Sequence, residues 1–80
     1  MIAMMDLGNT EYFQICKKTW NFFKGNLPVQ KDQRYWNEVM YKGEQITNSY
    51  KDTQYYTFVV EQVTSYINEL DRLSKTHVLD

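Results

Sequence analysis

Apolar residues recur at spacings of three and four along the last third of the chain. Tyr56, Val59, Val60, Val63, Tyr66, Ile67, Leu70 and Leu73 form one stripe, the period of an amphipathic helix and not the alternation of a half-buried strand. Thr57-Phe58-Val59-Val60 is rich in β-formers. The helical period nevertheless persists over about five turns, and no second strand is on offer to pair with it. The pattern predicts a helix over 53–74, capped by Asp52 or Thr53. Arg72 and Lys75 suit the negative end of its dipole, and Asp71 stands four residues before Lys75.

A second stripe runs through Trp36, Val39, Met40, Gly43, Ile46 and Tyr50 and predicts a helix over 32–50 with Asp32 as its N-cap. Gly43 sits in its middle. A glycine there costs about 1 kcal/mol relative to alanine, so its position predicts close approach by a neighbouring helix. A first helix is expected over 10–24, capped by Asn9 or Thr10. Its core face is read as Tyr12, Phe13, Cys16, Trp20 and Phe23, with Ile15 and Phe22 flanking. Gly25-Asn26-Leu27-Pro28 is the strongest break in the chain, with Gly25 suited to a left-handed C-cap and Pro28 barring continuation.

The fold expected is all-α: a three-helix bundle in which residues 1–80 make a single domain. Residues 1–8 would be a separate N-terminal segment and 75–80 a frayed tail. Eighty residues permit one domain and leave a thin margin of stability. Cys16 and His77 each stand alone, which rules out an intrachain disulfide and argues against a structural zinc site. Good packing or a partner subunit must then supply the stability. The lone thiol, an N-terminal Met1-Ile2-Ala3-Met4-Met5 run too short for a signal peptide, and the lack of any span of about 20 apolar residues together predict a cytoplasmic protein with no membrane contact. Met4 and Met5 are also available as start sites.

Chemistry-bearing motifs are missing. The three glycines (Gly8, Gly25, Gly43) are scattered and form no phosphate loop. A Ser or Cys nucleophile would lack a base, because His77 lies in the tail, and Cys16 reads as a buried apolar residue. No Glu-x-x-His pair offers a bundle metal site. Glu61, Glu69 and Asp71 share no helix face, and neither do Glu38 and Glu44, so no acidic cluster exists to hold magnesium. The expectation is a non-enzyme with no catalytic, cofactor-binding or metal-ligating residues and no cofactor.

Two surface features remain. Lys17, Lys18, Lys24, Lys31 and Arg34 form a basic segment interleaved with Trp20, Phe22, Tyr35 and Trp36, the composition of a surface that stacks bases beside cations. Against this, the net charge is −1 and both tryptophans fall on predicted core stripes, so nucleic acid is not the expected partner. The second feature is leftover aromatic surface. Phe58 projects roughly 140° from the core line through Val63, Tyr55 and Tyr66 extend its stripe, and Tyr41 points away from the core of the second helix. Tyr41, Tyr55, Phe58 and Tyr66 are therefore the predicted protein interface, and a homo-oligomer or another protein is the predicted partner. Cover of the stripe within the monomer, by the N-terminal Met-rich segment or by the first helix itself, is the competing expectation.

The Trp20-Asn21-Phe22-Phe23-Lys24 run, the Tyr35-Trp36 pair after an acidic cap, and Tyr66-Ile67-Asn68-Glu69-Leu70-Asp71-Arg72 together resemble small helical proteins of no known activity from Gram-positive gut bacteria and their prophages or other mobile elements. The likeness spans residues 12–75 and implies a fold far more than a function. In that set a Trp-x-Phe-His-Lys variant would be expected at 20–24, and Phe23 stands here where the histidine would be. The function expected is a protein-interaction module that self-associates. The alternative is a mobile-element regulator or inhibitor that binds a host nucleic-acid enzyme, or nucleic acid, through residues 17–34.

Overall fold

The computed structural model describes the backbone of residues 2–76 and the side chains of residues 10–76. Three helices, α1 (Ile2–Gly25), α2 (Gln33–Ser49) and α3 (Tyr56–Thr76), pack on one another, with no strand among the described residues. Tyr12 meets Tyr55 and Phe58 while Phe23 meets Tyr66, so α1 and α3 run parallel. Lys18 meets Tyr50 and Asn26 meets Tyr35, so α2 is antiparallel to α1. The result is an up-down-up bundle of 50 × 25 × 16 Å.

The core is Ile15 and Phe22 from α1, Val39 and Tyr50 from α2 and its end, and Val59, Val63 and Leu70 from α3. The α2 and α3 stripes agree with the sequence pattern, apart from Met40 and Tyr56, which are exposed at the edges. On α1 the face is turned. Ile15, Thr19, Phe22 and Asn26, spaced four, three and four, point inward, whereas Tyr12, Phe13, Cys16 and Trp20 are exposed. The expectation of a buried Cys16 and a core Trp20 is therefore corrected. The physical reason lies in Thr19. Its hydroxyl donates to the Ile15 and Cys16 carbonyls at 3.0 and 3.2 Å, which satisfies the polar atom locally and leaves a compact β-branched side chain fit for the core. A wheel that counts threonine as polar and every aromatic as core turns the helix the wrong way.

Gly43 behaves as its position predicted. A β-carbon there would lie 3.0 Å from Val63 Cγ1, 3.4 Å from Ile67 Cδ1 and 3.5 Å from Phe22 Cζ, so all three helices converge at this point. The bare backbone is what lets Phe22 and Val63 meet α2.

Helix ends differ from expectation more than helix bodies. α1 begins at Ile2, not after an Asn9 or Thr10 cap. The Met- and Leu-bearing segment before Gly8 has good helix formers, and a mid-helix Asn or Thr costs only about 0.5 kcal/mol, so the capping residues do not stop the helix. Register with α3 sets roughly the first ten residues of α1, about 15 Å of helix, beyond the level where α3 starts. Gly25 is not left-handed: no described glycine has positive φ. Instead the Asn26 side-chain amide donates to the Phe22 carbonyl at 2.7 Å, and the Tyr35 hydroxyl donates to the Asn26 carbonyl at 2.6 Å. These bonds satisfy carbonyls that a helix end leaves open. Asp32 caps α2 as expected, with extended backbone and a carboxylate accepting from Tyr35 N at 2.7 Å. α3 starts at Tyr56, three residues after Thr53, because Thr53 Oγ1 and its carbonyl accept from Tyr55 N and Tyr56 N in a turn. α3 extends through Lys75 and Thr76, with Lys75 paired to Asp71 at 3.0 Å. Residues 77–80 of the expected tail lie outside the described residues.

Burial pushes the Tyr35 phenol above its ordinary pKa, because the low-polarity surroundings disfavour the phenolate. The neutral hydroxyl is what bonds Asn26. The stability this group contributes is thus full below the unfolded pKa of about 10 and is lost as pH rises toward the folded value. Tyr35→Phe is expected to cost about 1 kcal/mol at neutral pH and to shrink the further loss seen in urea titrations above about pH 10. An unchanged alkaline loss would assign it to other groups.

Candidate protein interface

The four residues predicted as an interface divide between two environments. Tyr55, Phe58 and Tyr66 of the α3 side lie half-buried under α1. The Tyr12 ring stands edge-on to Tyr55 and Phe58 at 5.3 and 4.9 Å between centroids, and Phe23 stacks on Tyr66 at 5.0 Å. Trp20 closes the second cluster, 5.8 Å from Phe23 and 6.4 Å from Tyr66. These rings form a seam that joins α1 to α3, the intramolecular cover that competed with the interface reading. Phe58→Glu is therefore expected to lower stability by about 2 kcal/mol, read as a fall in thermal midpoint, through loss of packing and a poorly hydrated charge. A variant that melts like the parent would restore Phe58 to a purely surface role.

Tyr41 is different. It is 60% exposed, and Met40 beside it is 56% exposed. Along α2, Arg34, Asn37, Tyr41, Glu44 and Asn48 follow one another at spacings of three and four, so they share one outward face. Arg34, Asn37, Glu38 and Tyr41 line a shallow recess of about 570 Å³ on that face. A second groove of about 440 Å³ lies alongside, between α2 and α3, lined by Met40 and Tyr41 with Gly43, Val63 and Ile67 behind them. The charged groups are placed evenly: Arg34 and Glu44 stand equally far on either side of position 39.

The five-cation segment is not one patch. Lys18 Nζ donates to the Tyr50 hydroxyl at 2.9 Å and sits 4.9 Å from that ring's centroid, on the α2 side of α1. Lys31 and Arg34 belong to the α1–α2 connection and the start of α2, where Arg34 shares recesses with Asp32 and Glu38. Lys17 and Lys24, seven residues apart, remain together on the outward face of α1. Between and beside them stand Phe13 and Trp20, 60% and 48% exposed, with Lys17 Nζ 5.8 Å from the Phe13 centroid. Phe13 and Trp20 are thus surface rings, against the core face expected for α1. What signals their exposure is the Ile15–Thr19–Phe22 line, legible once threonine is allowed a place inside.

Elsewhere the surface is ordinary. Arg72 hydrogen-bonds Glu69, which holds that carboxyl below its usual range and raises the guanidinium above its own. Among the described residues no three His, Cys, Asp or Glu side chains converge in a metal-binding group, and no helix is long and apolar enough to cross a membrane. His77 lies outside the described residues. The chain matches no known family model, no curated protein and no solved structure.

Proposed function

We propose that this protein is a non-catalytic interaction module that self-associates through the outward face of α2. The observation that carries the reading is the exposed Tyr41 ring set beside a recess whose own wall includes Tyr41. A two-fold interface buries the same patch on both partners, so it needs a projection and a receptacle in one patch. On α2 the exposed Tyr41 ring would serve as the projection and the shallow hollow beside it as the receptacle. When two α2 helices cross antiparallel with Tyr41 at the level of the partner's Asn37, each ring enters the recess of the other copy. The same register sets Arg34 against the partner's Glu44, because both pairs of positions sum to 78. Charges so placed fix register and orientation.

The exposed Cys16 thiol suits a reducing compartment, and cytoplasmic residence is part of the proposal. Light scattering across a concentration series tests the reading. The expected mass approaches twice the 9.7 kDa of the chain. A protein that stays monomeric to about millimolar concentration would end the self-association reading.

A further inference from the structure

We propose that the outward face of α1 is a second, independent binding surface, and that its partner is an acidic amphipathic helix of another protein. Phe13 and Trp20 stand two turns apart on this face, about 10.5 Å along the axis, and Lys17 and Lys24 alternate with them. Apolar and cationic side chains thus follow one line of the helix. A docked helix with apolar residues one heptad apart would cover both rings, and Asp or Glu at its flanking positions would reach both ammonium groups.

Charge decides the kind of partner. Between residues 10 and 25 the one carboxylate is Glu11, which helical geometry places roughly 180° round from Trp20. Glu69, one turn beyond Tyr66 on the neighbouring helix, is already bonded to Arg72. Over the described side chains of residues 10–25 the face therefore carries two ammonium groups and no carboxylate. A second copy docked here antiparallel would set lysine near lysine, which disfavours self-pairing. This separates the α1 face from that of α2, where both signs occur.

Ring geometry weighs against a nucleic-acid strand. Base stacking needs open aromatic faces, but Lys17 lies over the Phe13 ring and Trp20 leans on Phe23 at 35°. Two cations neutralise few phosphates, and of the rest of the segment Lys18 is bonded to Tyr50 while Arg34 stands beside Asp32 and Glu38 on α2. Aromatic anchors with adjacent charge instead match a helix partner, whose side chains interdigitate with ridges.

The test uses the full chain against a displayed library of 18-residue helix-forming peptides whose polar positions vary between Glu and Lys. The enriched peptides are expected to be acidic. In fluorescence anisotropy, their binding should weaken at least about tenfold with Trp20→Ala and with the Lys17→Glu/Lys24→Glu pair. The lysine variant changes exposed groups only, so it reports on binding even where Trp20→Ala disturbs the seam. Tyr41→Glu should leave peptide binding unchanged, which keeps this result separate from self-association through α2. No enrichment, basic winners, or binding indifferent to both α1 variants would overturn the proposal. Tighter binding of a 20-nucleotide oligo-dT than of the best peptide would replace it with a nucleic-acid site. A fall in solution mass on Phe13→Ala would give the face to a second copy.

Discussion

Gly43→Leu is expected to lower the unfolding free energy by about 3 kcal/mol, a large share of the roughly 4–12 kcal/mol that a domain of this size possesses. The first added carbon already meets Val63 Cγ1 at 3.0 Å, and Ile67 and Phe22 close the other sides. The remaining carbons of leucine have nowhere to go unless α2 moves off both neighbours. Val63 cannot yield cheaply. It is 3% exposed, and a β-branched side chain in a helix has one strongly preferred rotamer. Gly43→Ala sets two effects against each other: about 1 kcal/mol of helix propensity gained, and a tight contact of similar cost. Its net change should be small. In a Val63→Ala background the contact is gone, and Gly43→Ala should then stabilise by up to about 1 kcal/mol. Urea titrations of the four proteins give the coupling directly. Additive effects, with Gly43→Leu costing less than about 0.5 kcal/mol, would mean that the helices do not converge at this residue.

That glycine also marks what could be read without coordinates. A costly residue in mid-helix demands a reason, and the reason proved to be a neighbour's side chain where a β-carbon would stand. The stripes of α2 and α3 were legible because Val39, Val59, Val63 and Leu70 are aliphatic and have no other use. α1 was not legible by the same rule. Tyr12, Phe13, Trp20 and Phe23 outweigh Ile15 in size, yet a bundle this thin cannot enclose four large rings of one helix. The rings sit at the seam or outside it, and Ile15, Thr19 and Phe22 fill the interior. The predicted interface failed to hold together for the same cause. Once α1 turns, Tyr12 and Phe23 cover Tyr55, Phe58 and Tyr66, while Tyr41, on the far side of α2, keeps its exposure. The closure of α1 was hidden too, since Asn26 and Tyr35 bond across a connection whose path the sequence does not fix.

Tyr41→Glu should weaken self-association at least about 100-fold, because it removes the central aromatic and sets two carboxylates near a symmetry axis. Its fold should be untouched, as the ring is mostly in water. A mass equal to that of the parent at every concentration would sink the α2 interface. Loss alone, however, would not establish the register. Arg34 and Glu44 can. Arg34→Glu leaves two like charges facing at each end of the antiparallel pair, and Glu44→Arg does the same with opposite sign. Each single change should weaken association about tenfold, and the two together should restore most of it. Either pair is exposed and lies on the outer side of α2, so rescue cannot be a repaired core. It must come from contact between residue 34 of one copy and residue 44 of the other, and those two positions are ten residues apart on a single helix. At about 1.5 Å per residue they stand roughly 15 Å apart within one chain, too far for an intramolecular ion pair. Recovery in the double variant thus requires a second molecule, placed in the one register that also puts Tyr41 into its recess.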